Sequence, residues 1–106
     1  MPKYLVAVSY TADGAKGVAK EGGTARLQAA RTLVESLGGT LETMYFAFGD
    51  ADVYAIIDAP TQSDVAAAAL AMGASGAAST KTTVLLTPEE VDDASRKVAS
   101  YRPPGA

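Results

Sequence analysis

Four apolar segments of the chain predict β-strands. The first, Lys3–Tyr10, alternates two sets of side chains and leaves both faces of the strand partly apolar. The second and third meet at Gly49, so we expect them to form a hairpin. The strands after the first are expected at Thr40–Phe48, Asp52–Asp58 and Thr80–Thr87.

Helical periodicity begins at Thr24, where apolar residues recur on one side until the Gly38-Gly39 stop. We expect a second helix over Asp64–Met72, capped by Thr61 or Ser63. A third, short helix starts at Pro88, with acidic residues early and basic residues late, as the helix dipole favours. The glycine-rich segment Thr11–Gly23 and the segment Gly73–Ser79 predict connections, the former a loop with a short helical turn.

The order β-α-β-β-α-β followed by one more helix is that of a ferredoxin-like α+β fold. A chain of 106 residues is long enough for one such domain. We place the domain at residues 1–98 and an extended C-terminal tail at residues 99–106.

Only one face of the predicted sheet is covered by its two helices, yet the other face also carries large apolar side chains. A one-sided antiparallel sheet in water normally alternates to polar residues on its exposed face. We therefore expect a partner sheet from a second copy of the chain, which makes the protein a homo-oligomer.

The amino-acid composition limits the classes of partner that the protein can bind. Hydrophobic residues make up 48 % and charged residues 20 %, as in a soluble globular protein. The net charge of −3 argues against nucleic acid, which requires a basic surface. No apolar run approaches the ~20 residues of a membrane span, and MPKYLVAVSY lacks the layout of a signal peptide. We expect a cytoplasmic protein.

Cysteine and histidine are both absent, which removes a thiolate nucleophile, a soft metal site and an imidazole base. We expect no metal and no cofactor. Catalysis, if any, would depend on carboxylates, lysine, tyrosine or serine.

Asp50 and Asp52 lie between two aromatic-rich runs, in YFAFGDADVY. They could form a carboxylate pair for acid/base chemistry or for a hard cation. A Gly-Asp-Ala-Asp sequence is also typical of the turn between two strands, because glycine and aspartate suit turn conformations, and we favour that interpretation. Asp52, which starts a strand, is the stronger functional candidate of the two.

The segment from Lys20 to Arg26 places two glycines directly before a helix. Exposed backbone N–H groups there, beside two cationic side chains, could hold a carboxylate or a phosphate under a loop that closes over strand tyrosines. The alternative is a flexible loop that ends in a Thr24 cap. The candidate ligand-binding residues are Tyr10, Lys20, Gly22, Gly23, Thr24, Arg26 and Asp52.

Six aromatic residues fall on predicted strands, where they could line a pocket between two sheets or simply fill core and interface. They are Tyr4, Tyr10, Tyr45, Phe46, Phe48 and Tyr54. Lys81, on the last strand, could be a desolvated and reactive amine, although we expect its ammonium to stay in water at the sheet edge.

The segments PKYLVAVSYT, KEGGTAR, LVESLGGTLETMYFAFGDADVYAIIDAP and KTTVLLTPEEV together resemble the GYD-domain family, to about Pro104. The resemblance implies a short stand-alone protein with a dimeric α/β-barrel fold and no established general activity. The name-giving stretch of that family is glycine, a variable residue, tyrosine and aspartate. Ala51 stands here in place of the tyrosine, so any role of its phenol is absent.

A looser similarity, carried by Gly49 to Asp52 and by Thr80-Lys81-Thr82-Thr83-Val84, is to the effector-binding modules of feast/famine transcription regulators. Those modules bind amino acids at subunit interfaces, so the similarity implies a shared architecture and ligand location. No DNA-binding helix-turn-helix accompanies the module in these residues.

We expect an oligomeric module that holds a small anionic or amphipathic molecule near the subunit interface. One alternative is a cofactor-free enzyme of the dimeric α/β-barrel type, monooxygenase- or isomerase-like, that uses Asp52, Tyr10 and Tyr45. The other is a purely structural assembly subunit.

Overall fold

A computed structural model describes all 106 residues of the chain. It contains four strands and four helices. In chain order these are β1 (Lys3–Tyr10), α1 (Ala12–Glu21), α2 (Gly23–Ser36), β2 (Thr40–Phe46), β3 (Val53–Asp58), α3 (Gln62–Ala74), β4 (Ala78–Leu85) and α4 (Pro88–Ser95).

The four strands form one antiparallel sheet in the order β2-β3-β1-β4. This order and the α+β composition agree with the predicted ferredoxin-like fold. β1 and β3 occupy the middle of the sheet, while β2 and β4 are its edges. The predicted hairpin is confirmed, because β2 pairs with β3 across the loop that follows Phe46.

Cross-strand pairing assigns each residue to one side of the sheet, since directly paired residues share a face. Val6 pairs with Ala55 on one side and Thr82 on the other, and this row faces the helices. α2 lies against β2, and α3 lies against β4. The buried core between the layers consists of Tyr4, Val6, Val8, Val34, Leu41, Val53, Ala55, Ile57, Ala59 and Val65.

The segment Thr11–Gly23 is not the predicted loop but contains the complete helix α1, so that prediction was wrong. Thr11 is its N-cap and accepts the backbone N–H of Gly14 at 3.2 Å. Gly14 is buried, and a Cβ there would collide with the backbone carbonyl of Ala77. The glycine that lowers helix propensity is required for close packing on the chain that leads into β4.

The predicted Thr24 cap is also wrong, because α2 already begins at Gly23. The N-cap is Gly22, which has φ of +86° and provides no side-chain hydrogen bond. Glycine adopts this left-handed region without a steric penalty, so Gly22 allows α2 to start in a new direction directly after α1 ends.

The later helices have well-formed N-termini. Thr61, one of the two predicted caps, forms a capping box with Asp64 at the start of α3. Thr87 forms the same motif with Glu90, and Pro88 occupies the first turn of α4. α3 is longer than predicted at both ends, whereas β4 begins and ends two residues earlier.

The C-terminal part of the chain extends away from the domain. Every residue from Pro88 to Ala106 is exposed. The radius of gyration is 16.9 Å, against about 13 Å for a compact chain of this length. No helix of the protein is both long enough and apolar enough to cross a membrane.

Candidate functional site

An apolar cavity of about 140 Å³ lies between the helix-facing side of the sheet and the helices α2 and α3. It forms because these two helices cover the two edge strands and leave space above the central ones. Eighteen of its 21 lining residues are hydrophobic. The sheet contributes mainly Val6, Val8, Tyr10, Leu41, Met44, Val53, Ala55 and Ile57, and the helices contribute mainly Ala29, Ala30, Leu33, Val34, Val65, Ala68, Ala69 and Met72.

Three polar residues complete the lining, and only one of them is charged. They are Ser75, Thr82 and Arg26. Tyr10, at the end of β1, adds an aromatic ring that carries a phenol group. The cavity therefore combines an apolar interior with a single cationic side chain.

Arg26 lies in the first turn of α2 and forms an ion pair with Glu21, the last residue of α1. The Arg26 Nη1 atom is 3.5 Å from Glu21 Oε2. This separation exceeds the usual range of an N–H···O hydrogen bond, about 2.7–3.2 Å. The side chains of Arg26 and Glu21 are 36 % and 48 % exposed, so the pair is open to solvent and to exchange.

Phe46 covers the beginning of α2 near this pair. Its ring lies so close to Gly23 that a Cβ on that glycine would be 3.2 Å from the ring. Gly23 thus lets the aromatic edge of β2 approach the helix start, one turn before Arg26. Phe46 remains 42 % exposed, which places it at the surface beside the cavity.

The other candidates in the glycine segment do not line the cavity. Lys20, Gly22 and Thr24 are exposed at the junction of α1 and α2. The backbone N–H of Gly22 donates to the carbonyl of Val18 at 2.8 Å, so it closes α1 and does not point outward to a ligand. The expectation that both glycine N–H groups are free was wrong for Gly22.

Asp52 has a structural role in this geometry. Its carboxylate accepts the backbone N–H of Tyr10 at 2.8 Å, and its own N–H donates to the carbonyl of Val8 at 2.8 Å. Its carbonyl accepts the N–H of Ala47, also at 2.8 Å. Asp50 is exposed, so the two carboxylates have different environments, and the turn interpretation of this stretch agrees with the structure.

The strand aromatics do not gather in one pocket between sheets. Tyr10 lines the cavity on the helix side of the sheet, whereas Tyr45 and Tyr54 are paired across strands on the opposite side. Phe48 is fully exposed in the hairpin loop. Consequently Tyr10, Asp52 and Tyr45, the residues of the enzyme alternative, do not form one site.

The sheet face away from the helices is open and partly apolar. Its central residues are the half-buried Leu5, Ala7 and Ile56. Tyr54 and Tyr45 continue this surface and are 38 % and 71 % exposed. Lys81 pairs with Ala7 on the same face and is exposed, so its amine is not desolvated.

One end of the open face carries an ion cluster. Lys3 Nζ lies 3.0 Å from Asp58 Oδ1 and 3.1 Å from Glu42 Oε1. The hydrogen bonds to Asp58 and then to Glu42 raise the pKa of Lys3 above its ordinary value. The structure contains no group of three or more carboxylate, histidine or cysteine side chains arranged to hold a metal ion.

Sequence reasoning identified Arg26 and Tyr10 but missed most of the cavity wall. Met44, Met72 and the alanines of α3 were not among the candidate residues. The apolar run Val65–Met72 within α3 was the available signal, because a helical segment that is apolar on all sides is normally a buried one.

The sequence model of the GYD domain matches residues 4–95, from the second residue of β1 to the end of α4. The chain therefore belongs to the GYD-domain family. No curated protein and no solved structure matches it.

Proposed function

We propose that the protein is an oligomeric module that binds a small amphipathic anion, with the apolar part in the cavity and the anionic group at Arg26. The observation that carries this proposal is the combination of an apolar lining with one charged residue, Arg26. A ligand with the opposite arrangement would leave either the cation unpaired or polar atoms in an apolar wall, which is unfavourable.

The size of the cavity limits the ligand. Apolar cavities of about 150 Å³ remain dry and accept a molecule the size of benzene. At about 140 Å³, this one suits a single ring or a short alkyl chain. Met44 on β2 and Met72 on α3 both line the cavity, and their unbranched side chains can adapt to either shape.

The oligomer would bury the open face of the sheet against the same face of a second copy. Leu5, Ile56 and Tyr54 provide its apolar contacts, and a two-fold arrangement lets identical surfaces pair. β1 and β3 would then carry the interface on one side and the cavity on the other. A ligand in the cavity would lie one sheet layer from the second subunit.

Calorimetric titration and thermal shift with hexanoate, benzoate, hexanol and inorganic phosphate would test the binding proposal. We expect hexanoate and benzoate to bind the wild type and to raise its melting temperature. Binding should weaken as salt rises, because screening acts on a partly exposed cation. Arg26→Ala should weaken the acids at least tenfold and leave hexanol almost unchanged.

Two substitutions in α3 provide a matched pair. Ala69→Leu places extra volume in the cavity, whereas Ala67→Leu adds the same volume on the exposed side of the helix. We expect Ala69→Leu to abolish binding of hexanoate and hexanol and Ala67→Leu to preserve it. Equal binding by both variants, or no response of the wild type to any probe, would contradict the cavity as a ligand site.

A further inference from the structure

We infer that the Glu21 carboxylate competes with the ligand for Arg26 and that the ligand is a small monocarboxylic acid, whose carboxylate displaces that of Glu21 from the guanidinium. This inference rests on the proposed function and specifies its ligand. The Glu21 carboxylate is a chemical stand-in for the ligand head group, because it already lies 3.5 Å from the guanidinium beside the cavity.

The position of Glu21 is unusual for an acid that serves its own helix. It is the last residue of α1, where the helix dipole disfavours negative charge and favours a cation such as the neighbouring Lys20. The ion pair does not stabilise a contact between distant parts of the chain either, since only four residues lie between Glu21 and Arg26. Helix stability therefore does not explain Glu21, whereas its contact with Arg26 does.

The contact is weak enough for a ligand to replace it. Both side chains are more than a third exposed, and exposed ion pairs contribute about 0–1 kcal/mol. An incoming carboxylate can form the shorter, two-pronged contact that guanidinium groups favour. Its apolar body is buried at the same time, a gain that Glu21 cannot obtain from the end of α1.

The charge of the site selects a monoanion. Arg26 is the only charged residue in the lining, and the N–H of Gly22 is already bonded within the chain. A dianion such as phosphate would bring a second negative charge without a second cation in the lining. One carboxylate matches the single guanidinium.

Glu21→Gln removes the competitor, and Glu35→Gln is the matched control. Glu35 is an exposed acid of α2 that forms no ion pair, so both variants change the net charge by the same amount. We expect Glu21→Gln to bind hexanoate about two- to fivefold more tightly than the wild type, the factor that corresponds to the usual strength of an exposed ion pair. Glu35→Gln should bind hexanoate like the wild type, and hexanol should bind all three proteins equally.

The outcomes separate the inference from the proposed function. One outcome is that hexanol binds and hexanoate binds no more tightly than hexanol. Another is that Glu21→Gln and Glu35→Gln have the same affinity for hexanoate. Either result would show that Glu21 does not compete with the ligand, while the cavity remains a ligand site. If inorganic phosphate binds more tightly than hexanoate, the ligand class is wrong. If no probe binds the wild type or Glu21→Gln, both proposals fail.

Discussion

The carboxylate of Asp52 accepts the backbone N–H of Tyr10 at 2.8 Å, a contact that joins residues 42 positions apart in the chain. It holds the end of β1 against the beginning of β3. Because Tyr10 also lines the cavity, Asp52 sets the position of one cavity wall without contacting the space itself.

Asp52→Asn should lower the free energy of unfolding by about 1 kcal/mol, because a neutral amide oxygen is a weaker acceptor than a carboxylate. Asp50→Asn should leave it unchanged, since Asp50 is exposed. Urea denaturation of both variants provides the measurement. Calcium and magnesium should not raise the melting temperature of the wild type, and a metal-dependent rise that vanishes in Asp52→Asn would contradict the turn interpretation.

Two glycines of α1 should respond in opposite directions to the same substitution. Gly14→Ala should be strongly destabilising, because its Cβ would collide with the carbonyl of Ala77. Gly17→Ala should stabilise the protein by up to about 1 kcal/mol, since the space around Gly17 is open and alanine favours a helix. Thermal unfolding of the two variants is the test, and similar shifts in both would contradict this packing of α1.

The open face can be tested separately from the core because the register assigns each strand residue to one side. Ile56→Asp should dissociate the oligomer and leave a folded protomer, whereas Val6→Asp should prevent folding by placing a charge in the buried layer. Light scattering reports the mass, and circular dichroism reports the fold. Thr32→Asp on the exposed side of α2 is the control. A wild type that is monomeric at micromolar concentration would refute the oligomer.

The contribution of Lys3 to the free energy of unfolding should depend on pH in the alkaline range. Its pKa is raised in the folded state by Asp58 and Glu42, so its contribution is fully present below the ordinary pKa of 10.5 and is lost as pH rises through the higher folded value. The difference in unfolding free energy between wild type and Lys3→Gln should therefore be constant near neutral pH and shrink above 10.5. A difference that stays constant across that range would contradict the ion cluster.

The strands, their hairpin and three of the four helices could be predicted because each has the periodicity or the capping signals of its own structure. α1 was missed for a physical reason. Gly14 and Gly17 reduce local helix propensity, and the helix gains its stability from contacts with β1 and α2 that no local pattern reveals. Gly22 did mark a boundary, but as the cap of α2 with a positive φ and not as part of a flexible loop.

The candidate site was predictable only where charge and chain position were informative. Arg26 and Tyr10 were selected from a basic, glycine-rich segment and a strand end, and the structure places both at the cavity. The cavity itself depends on how far apart α2 and α3 lie above the sheet. That distance is set by packing across the whole layer, so residues such as Met44 and Ala69 carry no local signature of it.

The central place of β1 has a consequence for how the chain folds. β1 is made first, yet its partners are β3 and β4, so its two neighbours in the sheet become complete only at Asp58 and Leu85. During synthesis β1 therefore has no strand partner at first, and the chain must close two long loops before the central strands of the sheet can pair. We therefore expect folding in milliseconds or slower, limited by these distant pairings rather than by its helices.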